Sequence, residues 1–419
     1  MHLPDAVAAT LLARLPPDAG AVACRRGAHT VVGVAPDDVV AADGPDALAA
    51  IDVLAPGFWV GWCAFELGHA VERVAPDCAA RDARAVPDMC FAQFRSVARI
   101  APDGMVTVDG DGAGRRLLED AVATSADSLR RPGSVGTPPL DAAVWRTSLS
   151  REEFALRVDA VLDLLRAGEC YQVNLTRRLS TDESLDPVAL YHEIVHRHPA
   201  PFTAFLRVDH DGVPITVVSA SPERYLARRG RDVTTQPIKG TAPGPAELRA
   251  SAKDRAENVM IVDLARNDLG RVCEPGTIRV PSLCAIEAHP GLHHLVSTVR
   301  GFLRDDVTMR ALVAATFPPA SVTGAPKPRV LQAIESLEPV RRGVYCGAFG
   351  WVDTEQDEAD LAVAIRTFTV FDDRTELGVG GGIVADSTPD AEWRETELKA
   401  GRLLAVADAS PRTTELTFA

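Results

Sequence analysis

Two side chains stand out as carriers of chemistry. Glu223 lies in Ser221-Pro222-Glu223-Arg224, and Lys239 follows 16 positions later in Pro237-Ile238-Lys239-Gly240-Thr241. A lysine at its ordinary pKa of about 10.4 is a poor nucleophile at neutral pH. Burial or a neighbouring cation lowers that value and frees the amine. A buried carboxyl group keeps its proton and can deliver it to a leaving hydroxyl. By sequence alone, Lys239 also suits a surface loop, and Glu223 also suits the first turn of a helix behind Ser221 and Pro222.

Four further acids come in two pairs. Asp254 and Glu257 are three apart, as are Glu392 and Glu395. On helices, each pair shares a face. Two such faces could hold Mg²⁺, which takes hard oxygen ligands and keeps several waters; two solvated helix faces would show the same spacing. A third group suits anions. The glycine run 380–382 offers backbone N–H groups with no Cβ in the way, Gly324 precedes a helix start, Arg366 and Lys399 can pair with carboxylates, and Tyr345 adds a hydroxyl. The spacing matches neither the phosphate-binding G-x-x-x-x-G-K-[ST] nor the dinucleotide G-x-G-x-x-G order, which argues against a nucleotide. Adjacent His293 and His294 alternate faces in a strand, so only one can face a site.

The elements that must position these groups follow from periodicity. Phe154, Val158, Val161, Leu162 and Leu165 recur at helical spacing behind Ser150 as N-cap, and Gly168 ends that helix. The acid pairs fall on predicted helices over 251–269 and 389–406, and another helix is expected over 326–337. Strands are expected over 202–208, 214–218, 292–299, 345–352, 361–371 and 376–379. In the first hundred residues, 56–68 reads as a buried strand and turn, and 86–100 as alternating strands. A helix is expected over 117–129. The Pro- and Gly-rich stretch 130–140 then marks a boundary, giving segments 1–140 and 148–408. Strand pairs between helices indicate α+β architecture.

Composition narrows the function classes. The chain has 419 residues, 46% of them hydrophobic, and a net charge of −14. That charge argues against nucleic acid and against an anionic membrane surface as partners. No signal peptide or membrane span is read at the N-terminus, and the eight scattered cysteines form no C-x-x-C. A cytoplasmic protein with reduced thiols is the expectation.

Together these stretches resemble the chorismate-utilising enzymes: anthranilate synthase component I, aminodeoxychorismate synthase component I, isochorismate synthase and salicylate synthase. The resemblance covers roughly 150–405 and rests on GECYQVNLTRRL, SASPERYL, PIKGT, SAKDRAENVMIVDLARNDLG, HHLVSTV, SVTGAPK, AIRTF and GGGIVADSTPDAEWRETELK. It is looser in the N-terminal part, through WVGWCAFELG. It implies two large packed antiparallel sheets with outer helices and an N-terminal segment interleaved with the C-terminal one. Gln172 stands where water-adding members carry a lysine base. Lys239 stands where anthranilate synthases usually carry alanine, and lysine there marks the 4-aminating aminodeoxychorismate synthase branch. The implied reaction is attack of Lys239 on C2 of chorismate while Glu223 protonates the departing 4-hydroxyl, then attack of ammonia at C4, toward 4-aminobenzoate and folate. By the same resemblance, Glu257 and Glu395 would bind Mg²⁺ directly, and Asp254 and Glu392 through water. His294 would lie near the ring, Gly240 and Thr241 would line the pocket, and Thr323, Tyr345, Arg366, Gly380, Gly382 and Lys399 would hold the two carboxylates. No glutaminase elbow is found, so a glutamine amidotransferase subunit would supply ammonia. A 2-aminating synthase and a non-catalytic chorismate-binding subunit are the rival expectations. Pro318-Pro319-Ala320 departs from the family's usual Pro-Gly-Gly.

Overall fold

The computed structural model describes residues 2–74, 86–125, 143–289 and 292–407. Its strands pair antiparallel into two large sheets, one of 11 strands and one of 10 among the described residues. Much of this pairing is set locally. The strands Phe202–His210 and Val213–Ser221 close around Asp211 and Gly212, whose φ values are 54° and 78°. Two positive φ angles define the tight turn whose twist matches paired strands, and an Asp-Gly dipeptide supplies them at low strain. The helix Arg151–Arg166 opens with a capping box: the Ser150 hydroxyl accepts from Glu153 N–H, and the Glu153 carboxylate accepts from Ser150 N–H.

In each sheet a block of N-terminal strands adjoins a block from the rest of the chain at a single seam. Ala21–Arg26 pairs with Phe202–His210, and Phe58–Cys63 pairs with Ala348–Asp353. Between the sheets, Val22, Leu206 and Val217 of one pack with Val60, Trp62 and Phe349 of the other. The stretch 130–140 lies outside the described residues. No helix among the described residues is long and apolar enough to cross a membrane.

Several elements differ from the sequence expectation. The expected strand over 345–352 begins only at Ala348, which leaves Tyr345 in a turn. The expected strand over 361–371 is two strands, Glu358–Val363 and Thr367–Val370, separated at Arg366, where φ is 52°. The helix expected over 117–129 is Gly112–Thr124. Glu223 is not a helix residue: it joins strand Val213–Ser221 to strand Arg224–Arg229. Lys239 is on a strand, Ile238–Ala242, rather than in a loop.

Candidate active site

The strand carrying Lys239 pairs with Leu292–Phe302 in a broken register. Lys239 lies opposite Leu295 and Thr241 opposite His294, leaving Gly240 as the extra residue. Gly240 has φ of 79°, and a Cβ built on it would sit 2.9 Å from the Asp254 carboxyl carbon. Only glycine allows both the backbone conformation and this approach. The bulge thus brings the Lys239 strand against the first turns of helix Ala252–Gly270, which carries Asp254 and Glu257. The Lys239 amine donates to the Ser321 carbonyl at 3.3 Å. Burial draws the Lys239 pKa below the ordinary amine range; Glu257, Glu223 and Glu395 oppose that shift and Lys399 reinforces it.

Glu223 is 4% exposed. Its backbone N–H donates to the Ser221 hydroxyl at 3.2 Å and its carbonyl accepts from Val363 N–H at 3.0 Å, so both strands fix it. Its carboxylate accepts from Ile238 N–H at 3.4 Å, next to Lys239. Burial pushes the carboxyl pKa up to about 7, against the Ser321 hydrogen bond, the Lys239 charge, the Ile238 N–H and Arg366. Near neutral pH a substantial fraction therefore holds a proton. Ser321 adjoins both key groups: its carbonyl accepts from Lys239, and its side chain lies close enough to Glu223 to hold that carboxyl's pKa down. Sequence reasoning missed Ser321. The signal was present in SVTGAPK, but nothing in that run distinguishes the serine from its neighbours.

The anion-binding candidates meet at a sheet edge. Strand Thr375–Ile383 pairs with Gln172–Thr181 along its whole length, yet pairs with Thr367–Val370 only through Thr375, Glu376 and Leu377. The chain peels away at Arg366, so the glycine run 380–382 faces a gap on that side. The Arg366 side chain has no hydrogen bond or ion pair among the described residues. Burial, with Arg402 nearby, pulls its pKa down to about 10. Lys399 donates to the Gly380 carbonyl at 2.8 Å and pairs with Glu395 at 2.7 Å. The Tyr345 ring packs against Gly378, where a Cβ would come within 2.1 Å of it. Gly382 lies over Gln172, whose amide nitrogen would be 2.9 Å from a Cβ there. The Thr323 hydroxyl is already engaged, donating to the Pro319 carbonyl at 2.9 Å.

His294 is buried and its Nδ1 is 2.9 Å from the Thr241 hydroxyl, whereas His293 is only partly buried and bonds the Pro243 carbonyl. Burial and Arg366 pull the His294 pKa down to about 3, which keeps its imidazole neutral. Behind these groups, Arg342 acts as a tie. Its guanidinium donates to Glu338 in a bidentate pair, to the Val322 carbonyl at 2.9 Å and to the Asn174 carbonyl at 2.6 Å. It thereby joins the segments carrying Thr323, Gln172 and Tyr345.

One acid pair lines the glycine strand, and Glu257 of the other pair is near enough to feel the Glu395 charge. A Cβ at Gly381 would lie 3.3 Å from Glu392 Oε2 and 3.4 Å from Glu395 Oε1. Burial raises the pKa of both Glu257 and Glu392. Burial also acts to raise that of Glu395, but Lys399, with Lys253 and Lys239, outweighs it and the net shift is downward.

A family profile described as chorismate binding enzyme matches residues 24–405. The chain belongs to that family. Aminodeoxychorismate synthase component 1 of Salmonella typhimurium is 38% identical over 359 residues, 82% of this chain and 75% of the relative. That of Klebsiella aerogenes is 42% identical over 272 residues, 62% of this chain and 59% of the relative, so this match spans less than two thirds of the relative's length. The crystal structure of anthranilate synthase component I from Streptococcus pneumoniae TIGR4 superposes with a TM-score of 0.73 at 26% identity, covering 93% of each chain.

Two observations bear on what a chorismate-binding enzyme would hold here. Gln172 is completely buried, yet neither its amide oxygen nor its nitrogen has a hydrogen-bond partner among the described residues. Such a group is costly unless a ligand or water satisfies it. Glu392 is also buried, and its Oε2 lacks a partner among the described residues. No three His, Cys, Asp or Glu side chains among the described residues form a closed metal cluster. Magnesium does not need one, since it takes one or two protein carboxylates and completes its octahedron with water and a bound anion. The donor set of Glu257, Glu395, Asp254 and Glu392 therefore fits that ion in kind.

Proposed function

We propose that this chain is an aminodeoxychorismate synthase component I, which converts chorismate and ammonia to 4-amino-4-deoxychorismate and water. The observation that carries the reading is the joint geometry of Lys239 and Glu223: a partly buried amine with a lowered pKa, bonded to the Ser321 carbonyl, and a carboxyl with a pKa of about 7 that accepts from Ile238 N–H, next to that lysine. In the first step the Lys239 amine forms a bond to C2 of chorismate, the ring double bonds shift, and the C4–oxygen bond breaks. Glu223 gives its proton to the departing hydroxyl, which leaves as water. In the second step ammonia bonds to C4, the double bonds shift back, and the C2–Nζ bond breaks to release the lysine. Arg366 and Lys399 fix the substrate carboxylates at the open edge of the glycine strand. Neutral His294 borders the ring and cannot add a competing positive charge. Glu257 and Glu395, with Asp254 and Glu392 behind water, would hold Mg²⁺, which would neutralise a chorismate carboxylate among these acids. Ammonia comes from a separate glutamine amidotransferase subunit, a reading supported by "component 1" in the relatives' names. The product suits 4-aminobenzoate and folate synthesis.

The competing reading is 2-amination, the activity named for the anthranilate synthase of similar fold. A nucleophilic lysine serves 4-amination, because the lysine occupies C2 while ammonia adds at C4; direct 2-amination has no use for it. The test is product identification by mass and chromatography, with purified protein, chorismate, Mg²⁺ and a high ammonium concentration at mildly alkaline pH. 4-Amino-4-deoxychorismate is expected, with its loss in Lys239→Ala. Anthranilate or another 2-amino product would overturn the assignment. Unchanged chorismate in the presence of an active glutaminase subunit would favour a non-catalytic binder.

A further inference from the structure

We propose that Asn258 is a positioning residue that sets the Glu257 carboxylate beside the Lys239 amine and Asp254 against Gly240. Helix Ala252–Gly270 buries one stripe, formed by Asn258, Ile261, Val262, Ala265 and Leu269. Four of these are apolar, as a core-facing stripe requires. Asn258 is the exception, and it is completely buried. A buried amide inside a helix stays there only with its hydrogen bonds met. Its nitrogen donates to the Leu295 carbonyl at 3.1 Å. Its oxygen accepts from the Ser297 hydroxyl and from the Cys284 thiol, the latter at 3.5 Å.

These partners lead straight to the lysine strand. Leu295 is the register partner of Lys239. Ser297 N–H donates to the carbonyl of Pro237, two residues before Lys239, at 3.1 Å. The Ser297 hydroxyl also accepts from Cys284 N–H at 2.8 Å. Two irregularities converge on the same point. The register breaks between Lys239 and Thr241 on one side of strand Leu292–Phe302, and between Ser282 and Ala285 on the other. Cys284, within the second break, has φ of 53°, a conformation that non-glycine residues rarely adopt. Left-handed backbone at a β-branch-free cysteine persists where the surroundings over-determine it, and such places cluster at functional sites. Asn258 is where helix, lysine strand and bulged strand are pinned together. Because it directly follows Glu257, it fixes the helix rotation that sets Glu257 and Asp254 against the lysine strand.

The inference rests on the proposed metal role of Glu257, and its test is direct binding of Mn²⁺, followed by loss of the free-ion electron paramagnetic resonance signal. Asn258→Leu keeps the shape and removes all three hydrogen bonds. Ser297→Ala removes one and is the milder variant should the first fail to fold. Leu118→Ala, in the buried face of helix Gly112–Thr124, lowers stability far from the site and is the control. Residues that orient metal ligands typically change affinity about 10- to 100-fold. Asn258→Leu is expected to weaken Mn²⁺ binding within that range, Ser297→Ala severalfold, and Leu118→Ala not at all. Equal binding by wild type and both node variants would overturn this inference alone, as would an equal loss in Leu118→Ala. Absence of Mn²⁺ binding by the wild type would overturn the metal reading and this inference with it.

Discussion

Replacing Glu223 by glutamine should stabilise the protein at alkaline pH while slowing turnover severely. Burial moves this carboxyl from 4.5 to about 7. The folded state therefore binds the proton more tightly than the unfolded chain does. A raised carboxyl pKa favours the folded state below pH 4.5, and that contribution is lost as pH rises through 7, where a buried charge must be tolerated. Integrated between pH 5 and pH 8.5, the loss is about 2.5 kcal/mol. Glutamine has the same shape, can still accept from Ile238 N–H, and never ionises. Guanidinium unfolding of wild type and Glu223→Gln at the two pH values should show the variant's relative stability rising by roughly that amount. Turnover in the variant should fall by about 10²- to 10⁴-fold, the usual contribution of a general acid. A stability difference that does not change with pH, or that shrinks as pH rises, would refute the burial argument. Retained turnover would refute the acid role even if the stability result held.

Three further outcomes can be checked. Gly240→Ala should lose about 1–3 kcal/mol from the left-handed backbone alone, and crowding of Asp254 should add to it; thermal unfolding measures the sum, and an unchanged midpoint would contradict the close approach. Arg342→Met should cost about 3–5 kcal/mol by leaving the Glu338 carboxylate buried without its partner, read by denaturant unfolding, with a cost under about 1 kcal/mol counting against the tie. The His294 ring, with its pKa near 3, should show no chemical-shift titration between pH 5 and 9 by nuclear magnetic resonance; a midpoint inside that window would mean the imidazole is not desolvated as described.

The sequence made the helices legible because their signals are local. The capping box at Ser150 and the acid pairs at spacing three can be read without knowing what they pack against. Strand ends were harder. Arg366 interrupts what reads as one apolar run, and nothing in Ala364-Ile365-Arg366-Thr367 announces a left-handed residue. That kink nevertheless frees the edge of the glycine strand. Asn258 and Ser321 were invisible for a related reason: their importance comes from partners on distant segments, and their own residue types are common. The identities of Lys239 and Glu223 were legible through resemblance, whereas the pairing through Ser321 required the fold. From sequence, the glycine run suits an anion, with Gly380 and Gly382 assigned by resemblance to the carboxylates. In the structure its members divide, with Gly381 facing the acids and Gly382 lying over Gln172.

The seam between N-terminal and later strands in each sheet constrains how the chain can be built. Phe202–His210 has Ala21–Arg26 on one edge, and Ala348–Asp353 has Phe58–Cys63 on one edge. A polypeptide beginning after the Pro- and Gly-rich stretch would keep every residue assigned to chemistry and still expose two long bare strand edges, the kind of surface that recruits other chains into aggregates. During synthesis, Ala21–Arg26 must wait for a strand about 180 positions downstream, and Phe58–Cys63 for one nearly three hundred positions downstream. Pairings of such long sequence separation fold slowly, so the nascent N-terminal strands depend on whatever keeps them apart until the last sheet strands emerge.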